Sequence, residues 1–252
     1  MFTNMSKYFF EAFENLNRLA PGSETSTNKA ISMLDVDVKD NLRILDIGCG
    51  TGSHTMILAE MFPAAHITAI DTHEGFLNVL KKKVVKKHLE NRVAVRNVSM
   101  FELDFPLEHF DLIWAEGTIY IAGFQNGLRD WKKYLKPGGY LVCSEISWLK
   151  NNPSLECKTF WETAYQEMDT IVNKITQVEQ NNYHYQFSFV LPKEDWTVQY
   201  YGPLEANLKK MVQKYPQNED ALKVVQMLRE EIELYDKHSD DYSYVFYGMR
   251  KE

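Results

Sequence analysis

A glycine-rich run follows a short apolar stretch: Leu45-Asp46-Ile47-Gly48-Cys49-Gly50-Thr51-Gly52. Glycine lets the backbone turn sharply, and its missing Cβ lets a ligand approach the chain. A helix that starts right after such a turn offers unpaired amides and the positive end of its dipole. Asp71 ends the next apolar run and Thr72 follows it. A carboxylate at that place can accept both hydroxyls of a ribose. A dinucleotide fold asks for GxGxxG, but the third glycine position after Gly48 is Ser53. The loop reads GxGxG instead, and Asp46 sets an acidic group beside it. That charge suits a ligand with a cationic group and disfavours a pyrophosphate. S-adenosylmethionine carries an ammonium and a sulfonium and no phosphate, so charge favours it over a nicotinamide cofactor.

Each of these residues also has a plainer role open to it. Asp46 can cap the following helix or stiffen the loop. Asp71 can be an ordinary turn residue. His54 reads as a solvated or capping histidine rather than a catalytic one. Cys49 reads as a small loop filler, since glycine neighbours do not activate a thiol. The lysines between Lys81 and Lys87 read as a solvated helix face rather than a nucleic-acid patch.

The elements that must hold the loop follow from periodicity. Residues 4–20 carry Tyr8, Phe9, Phe10, Phe13, Leu16 and Leu19 at helical spacing, and 20–23 break that helix. Ser23 can cap a second helix running to Met33. Residues 43–47 form a short, nearly continuous apolar run, as in a strand buried on both faces. Helices over 53–62 and 74–89 alternate with strands at 66–71 and 93–95. A fourth strand spans 110–114. Leu128, Trp131 and Leu135 mark a helix closed by Lys136-Pro137-Gly138-Gly139, and a fifth strand spans 140–146. This alternation means βαβ units and a doubly wound parallel sheet with helices on both faces. Later, helices are expected at 155–169, 171–182, 196–212 and 219–235, and strands at 187–191 and 242–248, the last antiparallel. That makes seven main strands. The chain is read as one domain over 1–252: cover helices at 1–40, a cofactor-binding core at 41–147, and acceptor-side helices with the last two strands at 148–252.

Composition narrows the class. The chain has 252 residues, 44% of them hydrophobic, and a net charge of −7. An acidic chain argues against a phosphate-backbone binder and against polybasic membrane association. Cys49, Cys143 and Cys157 form no CxxC pair. A disulfide framework or structural zinc site is therefore not expected, no metal is assigned, and a cytoplasmic setting fits. The first residues lack the apolar core of a signal peptide, and no stretch reaches the ~18 apolar residues of a membrane span.

The segment ILDIGCGTG, with AID at the second strand, DLIWAEG at the fourth and LKPGGYL before the fifth, resembles the class I S-adenosylmethionine-dependent methyltransferases. The likeness covers roughly residues 43–146. The N-terminal YFFEAFENLNRLAPGS and the tyrosine-rich end resemble a bacterial, small-molecule-type subgroup of that family. The resemblance implies a seven-stranded Rossmann-like fold and methyl transfer from S-adenosylmethionine, leaving S-adenosylhomocysteine, to a small-molecule acceptor. It implies that Gly48, Cys49, Gly50, Thr51 and Gly52 wrap the methionine end, that Asp46 orders the loop and the ammonium, and that Asp71 with Thr72 takes the ribose. Ser99 and Met100 match positions beside the adenine. Many relatives have Asp where Ser99 stands, so this contact is weaker here. Glu116 matches the loop that faces the methionine part and the acceptor. Three roles stay open for it: holding the ammonium, acting as a base, or capping a turn. AEGTIY replaces the NPPY-type motif of some amino-methylating relatives, which disfavours exocyclic base amines and amides as acceptors.

Aromatic residues gather outside the alternating core. Tyr8, Trp148, Trp161, Tyr165, Trp196 and Tyr201 are expected to line much of an acceptor pocket, though residues such as Trp161, Tyr165, Trp196, Tyr200 and Tyr201 are individually more often core than ligand contacts. Two other readings remain beside the methyltransferase: a catalytically inactive S-adenosylmethionine-binding regulatory protein, and a nicotinamide oxidoreductase.

Overall fold

In the computed structural model, which describes residues 2–37 and 40–252, the apolar runs pair into one sheet. Arg43–Ile47 (β1) lies between His66–Asp71 (β2) and Phe110–Glu116 (β4), parallel to both. Val93–Asn97 (β3) extends the sheet beyond β2. On the other side come Leu135–Trp148 (β5), then Tyr242–Lys251 (β7) and Tyr183–Val190 (β6). The strand order is β3-β2-β1-β4-β5-β7-β6. Only β7 runs against the rest, as expected for the last strand.

Strand alternation splits the core into two layers. Ile44, Leu112, Trp114, Val142 and Phe246 face one side; Leu45, Ile113, Leu141, Cys143 and Val245 face the other. The first face packs against Phe2–Ala12 (α1), Glu24–Ser32 (α2), Ser53–Met61 (α3) and Glu74–Lys86 (α4). The second is covered by Ile119–Ala122 (α5), Phe124–Trp131 (α6) and, through Val178, Ile171–Gln180 (α8). Leu155–Ala164 (α7), Lys193–Trp196 (α9), Gly202–Lys214 (α10) and Glu219–His238 (α11) return to the first face. Helices thus lie on both faces, as a parallel sheet requires. No helix among the described residues is long and apolar enough to cross a membrane.

Several boundaries differ from expectation. The first helix stops at Ala12, not at residue 20. Asn15 takes a left-handed backbone, φ 61°, which asparagine tolerates, so Leu16 and Leu19 lie on a strap rather than a helix. Of the expected 1–40 cover, residues 1, 38 and 39 lie outside the described residues. Ser23 does cap α2, accepting from the Ser26 amide at 3.0 Å. Leu135 opens β5 instead of continuing a helix, because a 3-10 turn at Lys132–Tyr134 intervenes. The Lys136–Gly139 turn is a bulge inside β5: Phe110 faces Leu135 while Leu112 faces Tyr140. The helix expected at 155–169 ends at Ala164. The helix expected at 196–212 is three pieces, with a π-helical turn at Thr197–Tyr201 between α9 and α10.

Candidate active site

The three loop glycines all need a left-handed backbone: φ is 70° at Gly48, 52° at Gly50 and 82° at Gly52. A Cβ on Gly48 would meet Thr118 Oγ1 at 2.2 Å, and one on Gly52 would meet Leu80 at 2.2 Å. The loop is pinned from behind by β2. The amides of Gly48 and Cys49 both donate to the Ile70 carbonyl at 2.9 Å. Asp71 takes over one residue later. Its Oδ2 accepts from the Gly50 amide at 3.0 Å and its Oδ1 from the His73 amide at 2.9 Å. One carboxylate therefore ties the glycine loop to the start of α4 while remaining on the cavity wall.

Asp46 is fully buried behind the loop. Its Oδ2 accepts from Thr55 at 2.5 Å. Its Oδ1 lies 3.0 Å from His54 Nε2, yet the ring N–H is not aligned with it, and neither atom has a hydrogen-bond partner. Burial alone would lower the His54 pKa. The neighbouring Asp46 carboxylate, with Glu116 farther off, outweighs burial and raises it above the ordinary imidazole value. The Cys49 thiol is pushed well up by burial and by the nearby Asp46 and Asp71, which leaves it inert, as a filler should be.

Glu116, at the end of β4, is the most heavily bonded acidic group at the site. Arg18 Nη1 donates to its Oε1, Trp114 Nε1 to its Oε2 at 3.2 Å, and Thr27 Oγ1 lies 3.0 Å from Oε2. Burial pushes its pKa up, but Arg18, with His54 and the Thr27 contact, pulls it below the usual range. A carboxylate so paired and so acidic is a poor proton acceptor. Arg18 comes from the Asn15–Gly22 strap. Thr51 Oγ1 donates to the Asn17 carbonyl at 2.9 Å, stitching the strap to the loop.

These groups open on one cavity of about 910 Å³. Gly48, Cys49, Gly50, Thr51, Asp71, Thr72, Ser99, Met100 and Glu116 all lie on its wall. Asp46 and Gly52 do not; they lie behind it and shape the loop. The far wall is aromatic. Of the six expected aromatics, Trp161, Tyr165 and Trp196 line the cavity. Tyr8, Trp148 and Tyr201 do not, which corrects the expectation. On α1 the helical period aims Phe9 and Phe10 at the cavity, where Phe13 joins them just past the helix end, and turns Tyr8 toward Tyr215, ring centres 5.0 Å apart. Trp148 ends β5 two residues beyond Ile146 and faces a second pocket, beside Asp169 and Thr170. The π-helical turn puts Tyr200 on the wall and sends Tyr201 into the core, where its hydroxyl donates to Glu231 at 3.0 Å.

Nothing in the sequence singles out Arg18, Thr27, Glu231 or Tyr244 for the site. Arg18 gave no signal, since a lone arginine between two helices reads as solvated. His73 carries no sequence signal either: its ring stacks on Phe10 at 4.2 Å, closing the cover beside Asp71.

The methyltransferase domain family matches residues 38–207 of the chain. The chain belongs to the class I S-adenosylmethionine-dependent methyltransferases. Among curated relatives, a demethylmenaquinone methyltransferase of Listeria monocytogenes is 33% identical over 112 residues, 44% of this chain and 47% of the relative. One of Staphylococcus aureus is 31% identical over 149 residues, 58% of this chain and 59% of the relative. The matches thus span about half of these proteins. Among solved structures, a methyltransferase of Geobacter sulfurreducens in complex with S-adenosylhomocysteine superposes with a TM-score of 0.84. It is 14% identical, covering 98% of each chain, a likeness of fold. As in that fold, this chain gathers its candidate groups in the loops that follow β1, β2, β3 and β4.

Proposed function

We propose that this protein transfers the methyl group of S-adenosylmethionine to a small-molecule acceptor. The observation that carries the reading is the continuity of the cavity, from the Gly48–Gly50 turn and Asp71 to the aromatic wall at Trp161 and Tyr200. Ligand pockets run to roughly 300–1,000 Å³. About 910 Å³ leaves room for a cofactor and a small acceptor together. A regulatory protein that had lost its acceptor side would fill that end, and here it is open.

The residues fit the cofactor chemically. Asp71 offers lone pairs to a ribose diol while its backbone bonds hold it in place. Arg18 and Glu116 set a cation and an anion side by side, which complements the carboxylate and ammonium of an amino-acid end. Thr72, Ser99 and Met100 are assigned to the ribose and adenine side. Glu116 is assigned to binding and to anchoring Arg18, not to general base catalysis. When bound, S-adenosylmethionine supplies an already activated methyl group, so the protein's main task is alignment and exclusion of water. Phe10, stacked on His73, and the Asn15–Gly22 strap cover the cavity for that purpose.

The curated relatives are named for demethylmenaquinone, and an aromatic wall suits an apolar small molecule. No nucleic acid or membrane partner is proposed. Three buried, unpaired thiols fit a cytoplasmic setting. Calorimetric titration with S-adenosylhomocysteine tests the reading: binding with a raised melting temperature is expected. Binding of a nicotinamide dinucleotide with none of S-adenosylhomocysteine would overturn it.

A further inference from the structure

The acceptor end of the cavity holds one acidic group that nothing above uses. Glu231, on α11, lines the cavity among Tyr120, Tyr200, Tyr244 and Met227. Its Oε1 accepts from Tyr201 at 3.0 Å. That is its one hydrogen bond, and it forms no ion pair among the described residues. The other carboxylates of the site are better partnered: Glu116 has Arg18, Asp46 has Thr55 with His54 close by, and Asp71 has two amides, whereas Glu231 is half-buried with one bond. Glu231 stands alone in an aromatic wall.

Burial raises its pKa, with the Tyr201 bond pulling the other way. Its charge is felt around the wall. Burial and Glu231, with Glu145 beyond, push the Tyr120 phenol up to about 12, and Tyr200 and Tyr244 are raised as well. Among the described residues the groups that feel the Glu231 charge are phenols, and the basic residues of the cavity, Arg18, His54 and His73, lie with Glu116, Asp46 and Asp71 at its glycine-loop end. A carboxylate kept without a cation in an apolar site costs free energy unless a ligand supplies the counter-charge. Aromatic faces add attraction for the same charge.

We propose that Glu231, with the Tyr120, Tyr200 and Tyr244 rings, is the acceptor's recognition site, and that the acceptor is an aliphatic amine entering as its ammonium. The proposal rests on the methyl-transfer reading above. An ammonium has no lone pair, so it must lose its proton before attack. Glu231, poised nearer neutrality than an exposed glutamate, accepts that proton. The nitrogen lone pair then forms the new N–C bond as the S–C bond breaks, the sulfonium becoming a neutral thioether and the positive charge passing to nitrogen. The proton on Glu231 leaves to water. The methylated ammonium remains matched to the aromatic wall and, once Glu231 is ionised again, to its charge.

The test compares two probes of nearly equal shape, choline and 3,3-dimethylbutan-1-ol, by calorimetry on protein saturated with S-adenosylhomocysteine. Choline should bind at least ~10-fold more tightly, and Glu231→Gln should remove that preference. Equal affinities, tighter binding of the neutral alcohol, or binding of neither probe would overturn the proposal. The comparison on the unaltered protein stands even if the variant folds poorly. Methyl transfer from labelled cofactor is then scored with a panel of aliphatic amines, phenols and quinols. Label in amines supports the site; label in phenols or quinols alone defeats it. Failure of S-adenosylhomocysteine itself to bind marks failure of the methyl-transfer reading, and choline binding to the cofactor-free protein reports on Glu231 separately.

Discussion

Arg18 and Glu116 meet as a buried ion pair across 98 residues of sequence, joining the N-terminal strap to the end of β4. Thr27 stands against both: Arg18 Nη2 donates to its Oγ1 at 3.1 Å, and the same oxygen contacts Glu116. The cover over the cavity is thus fixed to the sheet by charge. Arg18→Ala leaves Glu116 buried without its cation and should cost ~3–5 kcal/mol in denaturant unfolding. Arg18→Met with Glu116→Gln should recover much of that. A loss under ~1 kcal/mol would mean that the Trp114 and Thr27 bonds suffice alone.

Acid should loosen the junction between α11 and β7 at a definite pH. Asp241 precedes β7 and accepts from Lys150 at 2.5 Å and from the Ser154 amide at 2.7 Å. Burial raises its pKa, but these bonds outweigh burial and bring it down to about 2. Its stabilising contribution is complete above the ordinary aspartate value near ~4 and fades as pH falls toward ~2. That contribution is ~2 kcal/mol at most, less because Lys150 is half exposed. Asp241→Asn should flatten the acid limb of a melting-temperature profile between these values. An unchanged limb would assign acid lability to Glu116, whose depressed pKa gives the same sign.

Asp71 carries two loads. Removing two charge-assisted bonds to a ribose should weaken S-adenosylhomocysteine binding by ~30- to 1,000-fold. Because Asp71 also holds the Gly50 and His73 amides, Asp71→Ala should lower stability by ~1–3 kcal/mol as well. Unchanged affinity in a calorimetric titration would remove Asp71 from the cofactor site.

The aromatic wall divides into scaffold and surface. Trp196 is 1% exposed, stacks on Tyr235 at 4.2 Å and donates from Nε1 to Ser243 at 2.9 Å. Trp196→Ala should cost ~3–5 kcal/mol and disturb every property together. Phe160 lines the cavity without being buried in the core. Phe160→Ala should lower methyl transfer while melting temperature and cofactor affinity hold. Equal damage from both substitutions, seen by melting and titration side by side, would make the wall core throughout.

The elements of the alternating region were legible because each strand carries its own burial pattern. Arg43–Ile47, His66–Asp71 and Phe110–Glu116 are apolar on both faces, and only a sheet covered by helices buries both. The glycine loop was legible for a local reason too, since left-handed turns leave glycines at fixed offsets. Boundaries slipped where tertiary contact overrode period: Leu16 and Leu19 continue the helical spacing of α1, but Asn15 turns the chain onto the glycine loop.

By itself, then, the sequence determined the strand set, the position of the Gly48–Gly52 loop and the carboxylates Asp46 and Asp71, because these depend on neighbours close along the chain. Only the tertiary structure decided which side chains share the cavity. Tyr200 and Tyr201 are adjacent in sequence, yet a π-helical turn sends one to the wall and the other to the core. Arg18 reaches Glu116 because the strap folds back over β4. Glu231 becomes conspicuous only once α11 brings it among phenols, with no ion-pair partner among the described residues. Partnership and its absence are properties of three-dimensional neighbours, and no local spacing encodes them.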